Sequence, residues 1–302
     1  MTNPVQLSPR DRSLLQLLSR TPATTVLLVQ ASRTFDGGAF ADERRLRERL
    51  QALGQAGFTR HWSTATIGGG LQNYYKLTPA GFQVLYGTDV PQPPRSYFGE
   101  IASSHFAHTL RLAEVIVATL GAAHDHRLTL ARFFRENELM FPVGDEQVQP
   151  DCFFRLTTGG RAFNLAFEID QSTETVESLL DTSLRHRLDL YDAYQDQLLR
   201  GWITDGRTGE RPRFRVVFLT RSVQRAYHLL AVAGAVARVP ARRLVQAATQ
   251  DDYLGATDRL QTPLFVDHHG TWQALINLHP SARSSRPAVR LPPLVPPSSV
   301  VW

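Results

Sequence analysis

At 302 residues, 42% of them hydrophobic and 20% charged, the chain is long enough for two ordinary domains. No apolar run approaches a membrane span, no signal-like apolar segment opens the chain, and the single cysteine, Cys152, excludes a disulfide framework or a thiolate metal cluster, so a cytoplasmic protein is expected. The formal charge of +5 is uneven, with ten Lys or Arg against six Asp or Glu in residues 1–90, which makes the basic end the candidate for an anionic partner.

In chain order, LSPRDRSLLQLLSR predicts a helix capped by Ser8, with Pro9 at its first position. A second short helix is predicted over 24–31. After Asp36-Gly37-Gly38, FADERRLRERLQALGQAG reads as a third helix, with Leu46, Leu50 and Leu53 inward, Arg44, Arg45, Arg47 and Arg49 largely outward, and Gly57 at its end. FTRHWSTATIGGGLQNYYKL reads as a hairpin with its tip at Gly68-Gly69-Gly70, and another helix starts at Pro79. Three helices followed by a hairpin make the winged helix-turn-helix plan. An Arg-rich helix alone is equally a solvated face; the basic hairpin that follows, with Arg60, His61 and Lys76, tips the reading to double-stranded DNA. The expected contacts are Arg44, Arg45, Arg47, Arg49, Arg60 and Lys76. Burial of the Arg-rich helix would instead favour a protein-interaction module.

GTDVPQPPRS, residues 87–96, reads as a linker, because Pro91, Pro93 and Pro94 disfavour both helix and ladder. The expected division is a DNA-binding domain at 1–90, a second domain at 97–280 and a Pro/Ser-rich tail at 281–302, extended or disordered. In the second domain, GEIASSHFAHTLRLAEVIVATL and LARFFRENELM read as helices. A hairpin follows, then a long helix capped by Ser172 and Thr173, a strand over 213–220, a helix over 223–238, and late strands in TPLFVDH and TWQALI. That succession makes an α/β sandwich and places the whole chain in the mixed α/β (α+β) class.

The hairpin, QPDCFFRLTTGGRAFNLAFEIDQSTE, carries the chemistry. With Gly159 and Gly160 as a two-residue turn, Thr158 pairs with Arg161 and Asp151 falls opposite Glu168. Side chains alternate across a strand, so Asp151, Phe153, Asn164, Ala166, Glu168 and Asp170 share one face, and Cys152, Phe154, Leu156, Phe163, Leu165, Phe167 and Ile169 the other. Like charges directly opposite on a sheet repel. Three converging carboxylates therefore predict a divalent cation, Mg²⁺ or Mn²⁺, held by Asp151, Glu168 and Asp170. On the long helix Arg187 falls within the stripe of Val176, Leu180, Leu184, Tyr191 and Tyr194, so it either faces those carboxylates or snorkels to the helix edge. Glu136 is a weaker acidic candidate, and His105 and His108, one turn apart, read more readily as capping or core histidines.

Pro150-Asp151 followed by Glu168-Ile169-Asp170 resembles the acidic part of the PD-(D/E)xK nuclease motif, with Asp170 where that motif has lysine. Taken with His108, Thr173, Glu174 and Arg187-Leu188-Asp189-Leu190-Tyr191, and with the winged helix ahead of them, the chain resembles the replication-relaxation family of plasmids and mobile elements over residues 7–275. The resemblance implies a bacterial DNA-binding protein, nucleoid- or plasmid-associated, with a nuclease-like second domain. If that domain is active, Asp151, Glu168, Asp170 and Arg187 form a metal-dependent phosphodiesterase site, although Arg, unlike Lys, cannot act as a base. The alternative is a non-enzymatic regulator whose second domain dimerises or senses a ligand. A homodimer is left open.

Overall fold

The computed structural model describes residues 6–65, 69–171, 183–207, 211–278 and 286–292. The chain divides into two compact units, Met1–His126 and Arg127–Trp302.

In the first unit, α1 (Pro9–Arg20) starts at a reciprocal cap: the Ser8 hydroxyl accepts from the Asp11 N–H, and the Asp11 carboxylate accepts from the Ser8 N–H at 2.7 Å. β1 (Ala23–Thr24), α2 (Thr25–Ser32), α3 (Glu43–Gln55), β2 (Thr59–Ala65) and β3 (Leu71–Leu77) follow. β1 pairs with the free side of β3, giving an antiparallel sheet in the order β1-β3-β2. This is winged-helix order, with a short strand between the first two helices that the sequence pattern does not reveal. Leu14, Leu28, Leu46, Leu50 and Leu77 are all buried in one core, which explains why α3 keeps its leucines on one side and its arginines on the other. α4 (Pro79–Tyr86) lies so close to the chain entering β2 that a Cβ on Gly81 would meet the Phe58 carbonyl oxygen at 2.1 Å.

The Pro-rich stretch at 87–96 does not end the first unit. Behind it, α5 (Arg95–Phe98) carries Tyr97, whose hydroxyl donates to the Ser19 carbonyl at 2.5 Å. α6 (Ser103–Asp125) then places Ala113 and Val117 in the same core as the α1 and α3 leucines. The division therefore falls after His126, because α6 packs against α2 and shares its core. Contrary to the sequence reading, α6 is long and apolar enough to cross a membrane by length and composition alone, with half of that stretch buried.

The second unit opens with β4 (Thr129–Arg135). Here the sequence reading is corrected: LARFFRENELM is a strand and a turn, not a helix, because Phe133 and Phe134 pair across the ladder with Phe154 and Phe153. β5 (Phe141–Val143) and β6 (Glu146–Val148) form a two-stranded hairpin. β7 (Cys152–Thr158) and β8 (Arg161–Ile169) are the hairpin expected from the sequence, and α7 (Leu184–Thr204), β9 (Arg215–Thr220) and α8 (Val223–Val236) follow. β10 (Val245–Thr249), α9 (Gln250–Gly255), β11 (Phe265–Asp267) and β12 (Trp272–Gln273) complete it.

Seven strands form one mixed sheet in the order β12-β11-β10-β9-β8-β7-β4, antiparallel through β4, β7 and β8 and parallel through β8, β9 and β10. The central strands are buried on both faces, as their unbroken apolar runs require. Leu188 and Tyr191 of α7 and Leu229 and Leu230 of α8 pack with Ala166, Val216 and Phe218 on one of those faces. Of the expected capping segment, Ser172, Thr173, Glu174, Val176 and Leu180 lie outside the described residues, as do Gly68 and most of the tail.

Candidate functional site

The β7–β8 register places the first set of candidates. Gly159 and Gly160 take φ of 52° and 77°, the left-handed pair that a two-residue hairpin turn demands. Pairing runs from Thr158↔Arg161 to Cys152↔Phe167, so the next residues outward, Asp151 and Glu168, come opposite each other. Asp151 does not simply extend the ladder. Its N–H donates to the Phe167 carbonyl at 3.0 Å and its Oδ2 accepts from the Ile169 N–H at 2.6 Å, so its carboxylate caps the end of β8.

Glu168 is 2% exposed. Its Oε1 accepts from the Tyr191 hydroxyl and its Oε2 from Arg187 Nη2 at 2.5 Å, and the same guanidinium reaches the Gln149 carbonyl at 3.5 Å. Arg187 thus faces the carboxylates. Burial pushes the Glu168 carboxyl up to about 8; Arg187 and the Tyr191 donor oppose this and the Asp151 charge adds to it. Burial, aided by the Glu168 charge, raises the Tyr191 phenol well above its usual range. Cys152, fully buried on the other face, is likewise raised by burial and is a small apolar core residue.

Asp170 is clamped by a residue that sequence reasoning missed. Arg225 of α8 bonds it bidentately, Nε to Oδ2 at 2.7 Å and Nη2 to Oδ1 at 3.1 Å. The available signal was positional: α8 directly follows β9, the parallel neighbour of β8, so its first turn starts beside the end of β8. Among the four oxygens of Glu168 and Asp170, each already accepts from Arg or Tyr. A cation at the expected set of Asp151, Glu168 and Asp170 would therefore have to share the oxygens of Glu168 and Asp170 with Arg187, Tyr191 and Arg225. Glu136 sits on the turn after β4, not on a helix, with a carboxylate oxygen within 4.8 Å of one on Asp151.

The basic candidates of the first unit separate into two kinds. Arg44 and Arg45 both reach Glu48, at 3.0 and 3.1 Å, and Arg47 reaches Glu43 at 2.7 Å; these three side chains are 83%, 67% and 61% exposed. Exposed pairs within a helix contribute only about 0.3–0.5 kcal/mol, so these arginines are weakly held. Arg60 is exposed on β2 and lies over the Trp62 ring at 5.1 Å, with Trp62 stacked on Tyr74.

Two others are corrected. Arg49 bonds both oxygens of buried Asp11 at 2.6 Å, which pins α3 to the start of α1. Burial alone would raise the Asp11 carboxyl, but Arg49 and Ser8 outweigh it and hold the group below its ordinary value. Lys76 is buried, its ammonium bonded to the Gly99 carbonyl at 2.6 Å, because it alternates to the face of β3 opposite the core residues Tyr75 and Leu77 and the chain around α5 covers it there. Both are held by partners within the first unit. His105 is exposed and His108 half-buried on α6.

A family model described as replication-relaxation matches residues 15–205. No curated protein matches the chain at a significant level. Among solved structures, Bacillus subtilis PadR in complex with operator DNA shows 16% identity and a TM-score of 0.24, over 38% of this chain and 68% of that one.

Proposed function

The chain belongs to the replication-relaxation family, and from that premise we propose that it is a double-stranded-DNA-binding protein of plasmid or mobile-element replication or transfer. Its winged helix holds the duplex, and its second unit acts without cleaving it. The observation that carries this reading is the contrast between two sets of arginines. Those on α3 are exposed and held only by neighbouring glutamates, whereas Arg187 and Arg225 are committed to Glu168 and Asp170. The first arrangement suits phosphate. The second occupies the oxygens that metal-dependent phosphodiester cleavage would need.

The approach of Glu136 to Asp151 favours a second reading, a Mg²⁺- or Mn²⁺-dependent DNA endonuclease. One pair of measurements separates them. A fluorescein-labelled duplex of about 30 bp, titrated with the protein at low salt, should bind with an affinity that falls linearly with log salt. Supercoiled plasmid incubated with the protein and millimolar Mg²⁺ or Mn²⁺ should stay supercoiled. Nicking that disappears in Asp151→Asn would overturn the non-cleaving reading and leave the duplex-binding reading intact.

A further inference from the structure

The face of the β7–β8 hairpin that carries Glu168 at one end opens, towards the turn end, into a cavity of about 660 Å³. Phe141, Phe153, Tyr194, Trp202 and Phe214 line it, Phe141 and Tyr194 stacked on each other at 4.5 Å. Arg155, Arg207, Arg211 and Arg213 stand at it, Arg207 paired with Asp205 at 2.9 Å, and among the described residues its lining contains no Asp or Glu. Arg155 and Arg213 are exposed and make no ion pair among the described residues, while Arg211 lies over the Trp202 ring at 5.8 Å. The cavity continues across Arg211, Arg213 and Phe214 into a second of about 1020 Å³ that Arg161 and Arg243 also line.

Arg155 and Arg213, without an ion-pair partner among the described residues, repel one another, and an anion relieves that repulsion. Arginine forks fit phosphate bidentately, and aromatic walls stack on any base. From this juxtaposition we propose that the second unit binds a nucleoside phosphate, the base within the aromatic cavity and the phosphate on Arg155 and Arg213. Cations are excluded by the same lining. The adjoining cavity gives room for the neighbouring nucleotides of a single strand, so the ligand is either an unstacked nucleotide of single-stranded nucleic acid or a free nucleotide. The inference stands on the cavity alone and does not depend on duplex binding by the winged helix.

The test uses the full chain and fluorescein-labelled dT15, read by anisotropy, with unlabelled ATP as competitor. Binding should be saturable. The pair Arg155→Ala with Arg213→Ala should weaken it about tenfold or more, with a salt slope reduced by about 0.7 for each phosphate no longer neutralised. Trp202→Ala should weaken it about tenfold, whereas Trp202→Phe, which keeps a stacking face, should bind like the wild type. Stoichiometric competition by ATP would assign the site to a free nucleotide; dT15 binding that resists ATP would assign it to a single strand. The proposal is overturned if neither probe binds, if both cavity variants bind as the wild type does, or if only the arginine pair matters and Trp202→Ala binds normally, which would mark a bare charge effect.

Discussion

Glu168 is a buried carboxyl whose proton uptake is displaced to about 8 from an ordinary 4.5. A group raised in this way contributes stability that is fully present below the unfolded value and is lost as pH rises through the folded one. The window here runs from about 4.5 to about 8, over which the loss reaches up to about 5 kcal/mol at about 1.4 kcal/mol per unit. Urea melts of the wild type should thus show stability declining across that range, and Glu168→Gln should flatten the decline. An unchanged slope in the variant would mean that another group sets it. Arg187→Met removes the opposing charge and leaves Glu168 and Asp151 facing each other. It should cost about 3–5 kcal/mol above pH 9 and visibly less near pH 6, where Glu168 takes up a proton. Equal losses at both pH values would show that Arg187 acts through packing rather than charge.

Among the elements, α3 shows how a charged helix divides its work. Arg49 points back to buried Asp11, while Arg44, Arg45 and Arg47 face water. Arg49→Ala should therefore lower the melting temperature by leaving Asp11 buried without its partner. Arg44→Ala with Arg47→Ala should leave melting within about 0.5 kcal/mol of the wild type and reduce the salt slope of duplex binding by about one unit for each phosphate released. The reverse pattern, with a destabilised Arg44/Arg47 pair and normal binding, would move the DNA interface off this helix. Helical periodicity separates outward from inward leucines and arginines well, because period and burial coincide. It does not separate an outward Arg from one that reaches a residue 38 positions away, as Arg49 does. The same limit hides Arg225 behind Asp170. LARFFRENELM misleads for another reason: Phe133 and Phe134 take strand form through partners on β7, and that pairing is non-local. The β7–β8 hairpin, by contrast, is legible to the residue, since a Gly-Gly turn and an apolar face of period two fix the register locally.

For the whole molecule, the division after His126 rather than near residue 90 follows from where apolar area is buried. A Pro-rich stretch reads as a boundary because proline disfavours regular structure, yet a chain without regular structure still docks if the residues beyond it have a surface to cover. Here Tyr97 reaches Ser19, the Lys76 ammonium reaches the Gly99 carbonyl, and Ala113 and Val117 close the core that Leu14 and Leu46 begin. A fragment ending at residue 90 would expose that core and return the Lys76 ammonium to water. A fragment of residues 1–126 should then unfold cooperatively and bind the duplex with the salt slope of the full chain, while a fragment of residues 1–90 should melt at a markedly lower temperature or without a sharp transition. Circular dichroism melts of the two fragments, with anisotropy on the same duplex, check this. Equal melting temperatures would show that α6 adds nothing to the winged helix, and would return the boundary to the proline-rich stretch.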